Sequence, residues 1–184
     1  RETIESFGVP GRVLMENAAR GATRFLLDRF SDLGRRRVGV MAGRGNNGGD
    51  GHVMARYLFQ KGIRATVYLL SEKEKVKGDA AANLELLVKL GVPVVELPDE
   101  AAFNARRTEL AHQDLWIDAI LGTGLDSEVR GHFRSVIDYM NESGKPIFAV
   151  DIPSGLHSDT GQPLGVCIRA AATATFAYPK IGHL

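Results

Sequence analysis

The sequence predicts an α/β fold: a Rossmann-like, doubly wound, mostly parallel sheet with helices on both faces, three αβα layers in all. Three observations predict it. Short apolar runs alternate with helical patterns along the whole chain. Several of those runs are apolar on both faces, as strands covered by helices on both sides must be. The segments richest in glycine and in oxygen-bearing side chains all follow predicted strands directly.

The elements follow in order. Pro10 opens a helix, where its fixed φ and missing N–H cost nothing. Val13, Leu14, Ala18, Ala22, Phe25 and Leu26 then recur at helical spacing. The apolar run 37–42 (RVGVMA) is the first strand. A helix is expected from Asp50 to about Lys61, closed by Gly62, and residues 65–70 (ATVYLL) form the second strand. A helix over 80–90 takes Gly91 as its cap. The third strand, 94–97, lies between two prolines, and 101–111 reads as helix. Strand four covers 115–121 (LWIDAIL), a helix covers 133–141, strand five covers 147–150 (IFAV) and strand six covers 172–177.

The chain of 184 residues suits a single domain, 1–184, with a real core. Lysine plus arginine total 23 against 22 for aspartate plus glutamate, so the net charge of +1 creates no field that would favour nucleic acid or an anionic membrane. No apolar run approaches the length of a membrane span. The only cysteine, Cys167, leaves no internal disulfide and fits a reducing, cytoplasmic setting. Residue 1 is Arg, and the chain stops just after a predicted strand. Both ends therefore read as cut, with room for an upstream targeting segment or a further domain.

In a doubly wound sheet of order 3-2-1-4-5-6, strands 1, 4 and 5 are neighbours, and ligands bind where the order reverses. Three loops should therefore converge on one crevice. The first is Gly43-Arg44-Gly45-Asn46-Asn47-Gly48-Gly49-Asp50-Gly51, which contains G-x-G-x-x-G between a strand and a helix. A lone match of that kind is weak. Here glycines would allow positive φ and close approach of backbone N–H groups to phosphate oxygens, helped by the helix N-terminus. A tight strand–helix turn would explain one or two of the glycines but not five. The loop lacks the lysine and hydroxyl of a P-loop. After strand 2 only Glu72 could serve a ribose, which argues against an ordinary NAD(P)-dependent oxidoreductase. Asp50 would be an awkward charge beside a pyrophosphate unless it met hydroxyls or capped the helix.

Asn47, Asp118 and Ser154 would bring an amide oxygen, a carboxylate and a hydroxyl together. All-oxygen ligation suits a hard cation, and without a His/Cys cluster zinc does not fit. A strand-end aspartate bonded to loop amides explains Asp118 equally well. Asp151 follows the apolar run 148–150; a carboxylate there is partly desolvated, which suits acid–base work, although a turn-initiating aspartate is the alternative.

With these residues in view, NNGGDG after strand 1, DAILGTGL on strand 4 and VDIPSGL after strand 5 resemble the NAD(P)H-hydrate epimerases, the YjeF N-terminal domain family. The opening VLMENAA and the late Tyr178-Pro179-Lys180 also match it. The resemblance runs from about Pro10 to Lys180. It implies an enzyme of nicotinamide cofactor repair that interconverts the R and S forms of NADH or NADPH hydrated at C6 of the ring. It implies a potassium ion on Asn47, Asp118 and Ser154. Substrate contacts would fall on Asn46, Asn47, Gly48, Gly49 and Asp50, on Gly122, Thr123, Gly124, Leu125, Asp126, Ser127 and Glu128, and on Asp151, the expected catalytic residue. Lys180 could reach the site too, but an exposed strand-end lysine is the expected reading. The implied partners are the nucleotide substrate, a second copy in a homodimer, and an ADP- or ATP-dependent dehydratase, fused or separate. A non-catalytic nucleotide- or RNA-binding dimerisation module, as in decapping enhancers of related fold, is the rival; the retained Asp151 and NNGGDG speak against it.

Overall fold

The computed structural model describes Ser6 and residues 8–183. Six parallel strands form one sheet, as expected from the alternation of elements, and their order is β3-β2-β1-β4-β5-β6. They are β1 Arg37–Ala42, β2 Arg64–Leu69, β3 Val94–Glu96, β4 Leu115–Ala119, β5 Ile147–Val150 and β6 Ala172–Ala174. The helices are α1 Gly11–Arg29, α2 Asn46–Gln60, α3 Gly78–Lys89, α4 Glu100–Ala105, α5 Arg107–Ala111 and α6 Gly131–Glu142. The expected helix over 101–111 is thus two short ones that meet at Arg106.

Strand alternation sorts the core onto two faces. Val38, Val40, Ala42, Leu115 and Ile117 pack with α1 and α2 on one side. Met41, Tyr68, Trp116 and Ile120 pack with α4, α5 and α6 on the other. On α1 the buried residues are Met15, Ala19, Ala22, Thr23 and Leu26, while Val13 and Phe25 are 46% and 42% exposed. The helix is therefore rotated from the stripe read in the sequence. Small side chains face α2, and one polar clamp ties the two helices: Glu16 accepts from Arg56 and, at 2.6 Å, from the Tyr57 hydroxyl. His52, fully buried on α2, meets the Ala80 carbonyl through Nδ1; burial pushes its pKa down to about 4, so it is a neutral core residue.

The largest departure from expectation lies at the start of α2. Asn46-Asn47-Gly48-Gly49-Asp50 forms the first turns of the helix rather than a loop, and Gly45 is the N-cap. None of the five glycines of this segment has positive φ. Four are needed for a different reason. A Cβ on Gly43 would lie 2.1 Å from the Ile120 carbonyl oxygen, and one on Gly48 only 1.9 Å from the Gly43 carbonyl oxygen. On Gly51 it would meet Ala119 at 2.6 Å, and on Gly49 the Met15 side chain at 2.7 Å. The glycines let α2 press directly onto β1, β4 and α1. Gly45 alone has open space where a Cβ would be.

This contrast is testable by chemical denaturation. Gly48→Ala should cost about 1–3 kcal/mol or more, because the clash is with backbone that cannot rotate away. Gly45→Ala should cost less than about 1 kcal/mol. Equal losses at the two positions would contradict the packing explanation.

Candidate active site

The sheet order reverses between β1 and β4, so the turns leaving their carboxyl ends diverge and open a cleft. It has a volume of about 600 Å³ and is lined by Arg44, Asn46, Asn47, Asp50, Gly122, Phe133 and Asp151, among others. That size suits an organic ligand. Another hollow, of about 490 Å³, lies at the opposite end of the strands beside Arg37, Arg64 and Pro93, away from the three convergent loops.

Beneath the cleft, Asn47, Asp118 and Ser154 form one network, as the sequence suggested. Its hub is the backbone of Leu121. The Asn47 amide nitrogen donates to the Leu121 carbonyl at 3.0 Å, and the Leu121 N–H donates to the Ser154 hydroxyl oxygen at 2.9 Å. Ser154 in turn donates to Asp118 through its hydroxyl at 2.5 Å and its backbone N–H at 2.8 Å. Asp118 and Ser154 are fully buried. Burial raises the Asp118 pKa to about 6, although hydrogen bonds from Ser154 and the Ile120 N–H pull the other way. The Asn47 side-chain oxygen is buried and lacks a hydrogen-bond partner. A buried carboxylate and an orphaned buried amide oxygen, linked through Leu121 and Ser154, make a donor set that a hard cation fits.

Asp151 leaves β5 with φ 67°, in the left-handed region that aspartate tolerates better than most residues. Strain of that kind collects at functional sites. One carboxylate oxygen accepts from the Phe176 N–H at 2.9 Å and from the Lys180 ammonium. Lys180 also donates to Thr175 at 2.8 Å and to the Phe176 carbonyl at 2.9 Å. Its side chain is only 17% exposed, so the expectation of an exposed strand-end lysine is corrected. The Asp151 backbone N–H donates to Ala174 on the edge strand at 2.8 Å, which carries this arrangement into the sheet.

Asp50 does not cap α2, since Gly45 does. Its carboxyl lines the cleft and is partly buried. Burial, with the Asp151 charge second, raises its pKa to about 8, so it is protonated at neutral pH. The positive end of α2 favours the anion by only about 0.3–1 kcal/mol, too little to offset burial.

The remaining expected contacts divide. Asn46, Gly122, Thr123 and Gly124 line the cleft. Gly48 and Gly49 lie under it as packing residues. Leu125 turns into the apolar cluster around Ile120 and Val129. Asp126 and Ser127 are exposed, and Glu128 is paired with Arg130 at 2.7 Å. Glu72 pairs with Lys75 at 2.9 Å and does not line the cleft. Gly43, Arg44, Gly45, Ile120, Leu121 and Phe133 also line the cleft without having been expected as contacts, and of these Arg44 and Phe133 bring the distinctive side chains. Arg44 is visible as the charged position inside the glycine motif. Phe133 carried no signal, because on α6 it reads as an ordinary apolar residue.

Residues 11–182 match the family described as YjeF-related protein N-terminus. A protein of Salinibacter ruber named bifunctional NAD(P)H-hydrate repair enzyme Nnr is 44% identical over 190 residues, 99% of this chain and 35% of that protein. An Oenococcus oeni protein named NAD(P)H-hydrate epimerase is 37% identical, over 98% of this chain and 81% of that one. A crystal structure of yeast ynu0 (YNL200c) is similar with a TM-score of 0.84 and 25% identity, covering 99% of this chain and 77% of that one. The chain thus spans about a third of the length of the bifunctional relatives and most of the length of the shorter ones. Matched over nearly all its length, the chain belongs to the YjeF-related protein N-terminus family.

Proposed function

We propose that this chain interconverts the R and S forms of hydrated NADH and NADPH. The observation that carries the proposal is Asp151, a carboxylate held by strained backbone, Phe176 and Lys180 at the wall of the switch-point cleft. The names of the shorter relatives, similar over nearly the whole chain, support it.

The chemistry begins with binding. The first helical hydrogen bond of α2 runs from the Gly49 N–H to the Gly45 carbonyl, which leaves the N–H groups of Asn46, Asn47 and Gly48 outside the helical ladder. These groups, at the positive end of α2, suit the phosphates of a nucleotide. Arg44 beside them adds a cation. The hydrated ring would then lie toward Asp151. Its C6 carries a hydroxyl next to the ring nitrogen. When that oxygen leaves, the nitrogen lone pair forms a C=N bond, C6 becomes planar, and water can return to either face. Asp151 serves this traffic as an acid–base group. A potassium ion bound at Asn47, Asp118 and Ser154 would supply positive charge beneath the cleft and fix Leu121, whose neighbours Ile120 and Gly122 line it. Bifunctional relatives about three times as long support a dehydratase as the companion activity, one that consumes a single epimer.

Chromatography of the two epimers provides the direct test. The wild-type protein should exchange them well above the spontaneous rate, and Asp151→Asn should slow the exchange by about 10²–10⁴-fold while remaining folded. A wild-type rate equal to the spontaneous one would remove the proposal. The cation site has its own readout. Potassium chloride should raise the melting temperature by about 2–6 °C over choline chloride at equal ionic strength. Asn47→Ala should abolish that difference. Identical melting of the wild type in the two salts would exclude the site.

A further inference from the structure

Asp50 and Asp151 face the same cleft from different elements, one from the second turn of α2 and the other from the turn after β5. We propose that the two carboxyls divide the proton transfers of the reaction between them: Asp50 protonates the departing C6 hydroxyl, and Asp151 takes a proton from the water that returns on the other face. This division rests on the epimerase function proposed above.

The surroundings of the two groups differ as such a division requires. Asp151 meets an ammonium and a backbone N–H. Asp50 is partly buried in the cleft wall, and burial raises its pKa to about 8. Two titratable groups set apart by environment are the usual mark of an acid and base pair. The other charges near them are accounted for. Lys180 is on Asp151, Arg44 stands on the loop before α2, and Asp118 is bonded to Ser154 beneath. From the helices packed on α2, Glu16 of α1 is taken up by Arg56 and Tyr57, and Asp79 lies in the first turn of α3.

The step balances. The Asp50 proton passes to the C6 hydroxyl as the C6–O bond breaks, the nitrogen lone pair forms C=N, and one water leaves. A water on the opposite face loses a proton to Asp151 as its oxygen bonds to C6 and the C=N pair returns to nitrogen. One proton has moved from Asp50 to Asp151, and the reverse reaction runs with the roles exchanged. Neither direction needs an oxidant or a reductant.

The test is the pH dependence of kcat/KM on each purified epimer from pH 6 to 10. The wild type should lose activity about tenfold per pH unit above about pH 8, as Asp50 gives up its proton. Asp50→Asn should be slower by about 10²–10⁴-fold and lack that limb. Melting curves separate catalysis from structure. The folded state holds the Asp50 proton to about pH 8, whereas the unfolded carboxyl releases it near its ordinary 3.8. Asp50 therefore destabilises the fold progressively as pH rises between those values, and the loss is complete above them. Asp50→Asn should melt higher than the wild type at pH 9 and much closer to it at pH 5. Wild-type rates in Asp50→Asn with the alkaline limb intact would overturn the assignment and leave the epimerase function standing. A wild-type protein no faster than spontaneous exchange would overturn both. Should Asp50→Asn fail to fold, Asp50→Glu decides: a displaced alkaline limb supports the assignment, and an unmoved one overturns it.

Discussion

The structure depends on how closely α2 approaches the sheet. Gly43 lies under the Ile120 carbonyl, Gly48 under the Gly43 carbonyl and Gly51 against Ala119, with no room for a side chain at any of them. Glycine inside a helix costs about 0.5–1 kcal/mol at each position relative to alanine. That cost is offset here because the close approach lets Val53, Met54 and Leu58 bury fully in the core. The same approach points the first turn of α2 at the cleft, brings Asn47 to the Leu121 carbonyl and sets Asp50 within the field of Asp151.

From that contact the site builds in two layers. The lower layer is polar and buried: Asp118, Ser154 and Asn47 bonded through the Leu121 backbone, with one amide oxygen left open. It fixes the floor. The upper layer is the working surface, where Asp50, its pKa raised by burial, and Asp151, paired with Lys180, both line the cleft. The lower layer carries rigidity and charge; the upper layer carries the proton chemistry. Lys180 ties the upper layer to the sheet edge, because it steadies Asp151 while binding Thr175 and the Phe176 carbonyl just beyond the edge strand.

Much of this was legible in the sequence. Parallel strands followed from the alternation of elements, and the three-loop convergence followed once the Rossmann-like order was assumed, which is the order the sheet has. Asn47, Asp118 and Ser154 could be grouped because each is an oxygen donor near a strand end. The beginning of α2 was not legible. NNGGDG has the local preferences of a loop, and only the tertiary demand for backbone contact makes it helical. The rotation of α1 was hidden for a similar reason: its partner is a helix with glycine on the facing side, so Met15 and the alanines pack where Val13 was expected. Lys180 reaches Asp151 from 29 positions further along the chain, and Phe133 enters the cleft from a helix on the other face. Neither relation leaves a periodic trace.

The central claim is that water leaves and returns at one carbon inside this cleft. Exchange run in water enriched in oxygen-18 tests it most directly. The label should enter the C6 hydroxyl at the rate at which the epimers equilibrate, under catalysis by the wild-type protein. Epimers that equilibrate under the protein's catalysis without taking up the label would contradict the claim, since the stereocentre would then be lost by opening of the ring with its oxygen retained.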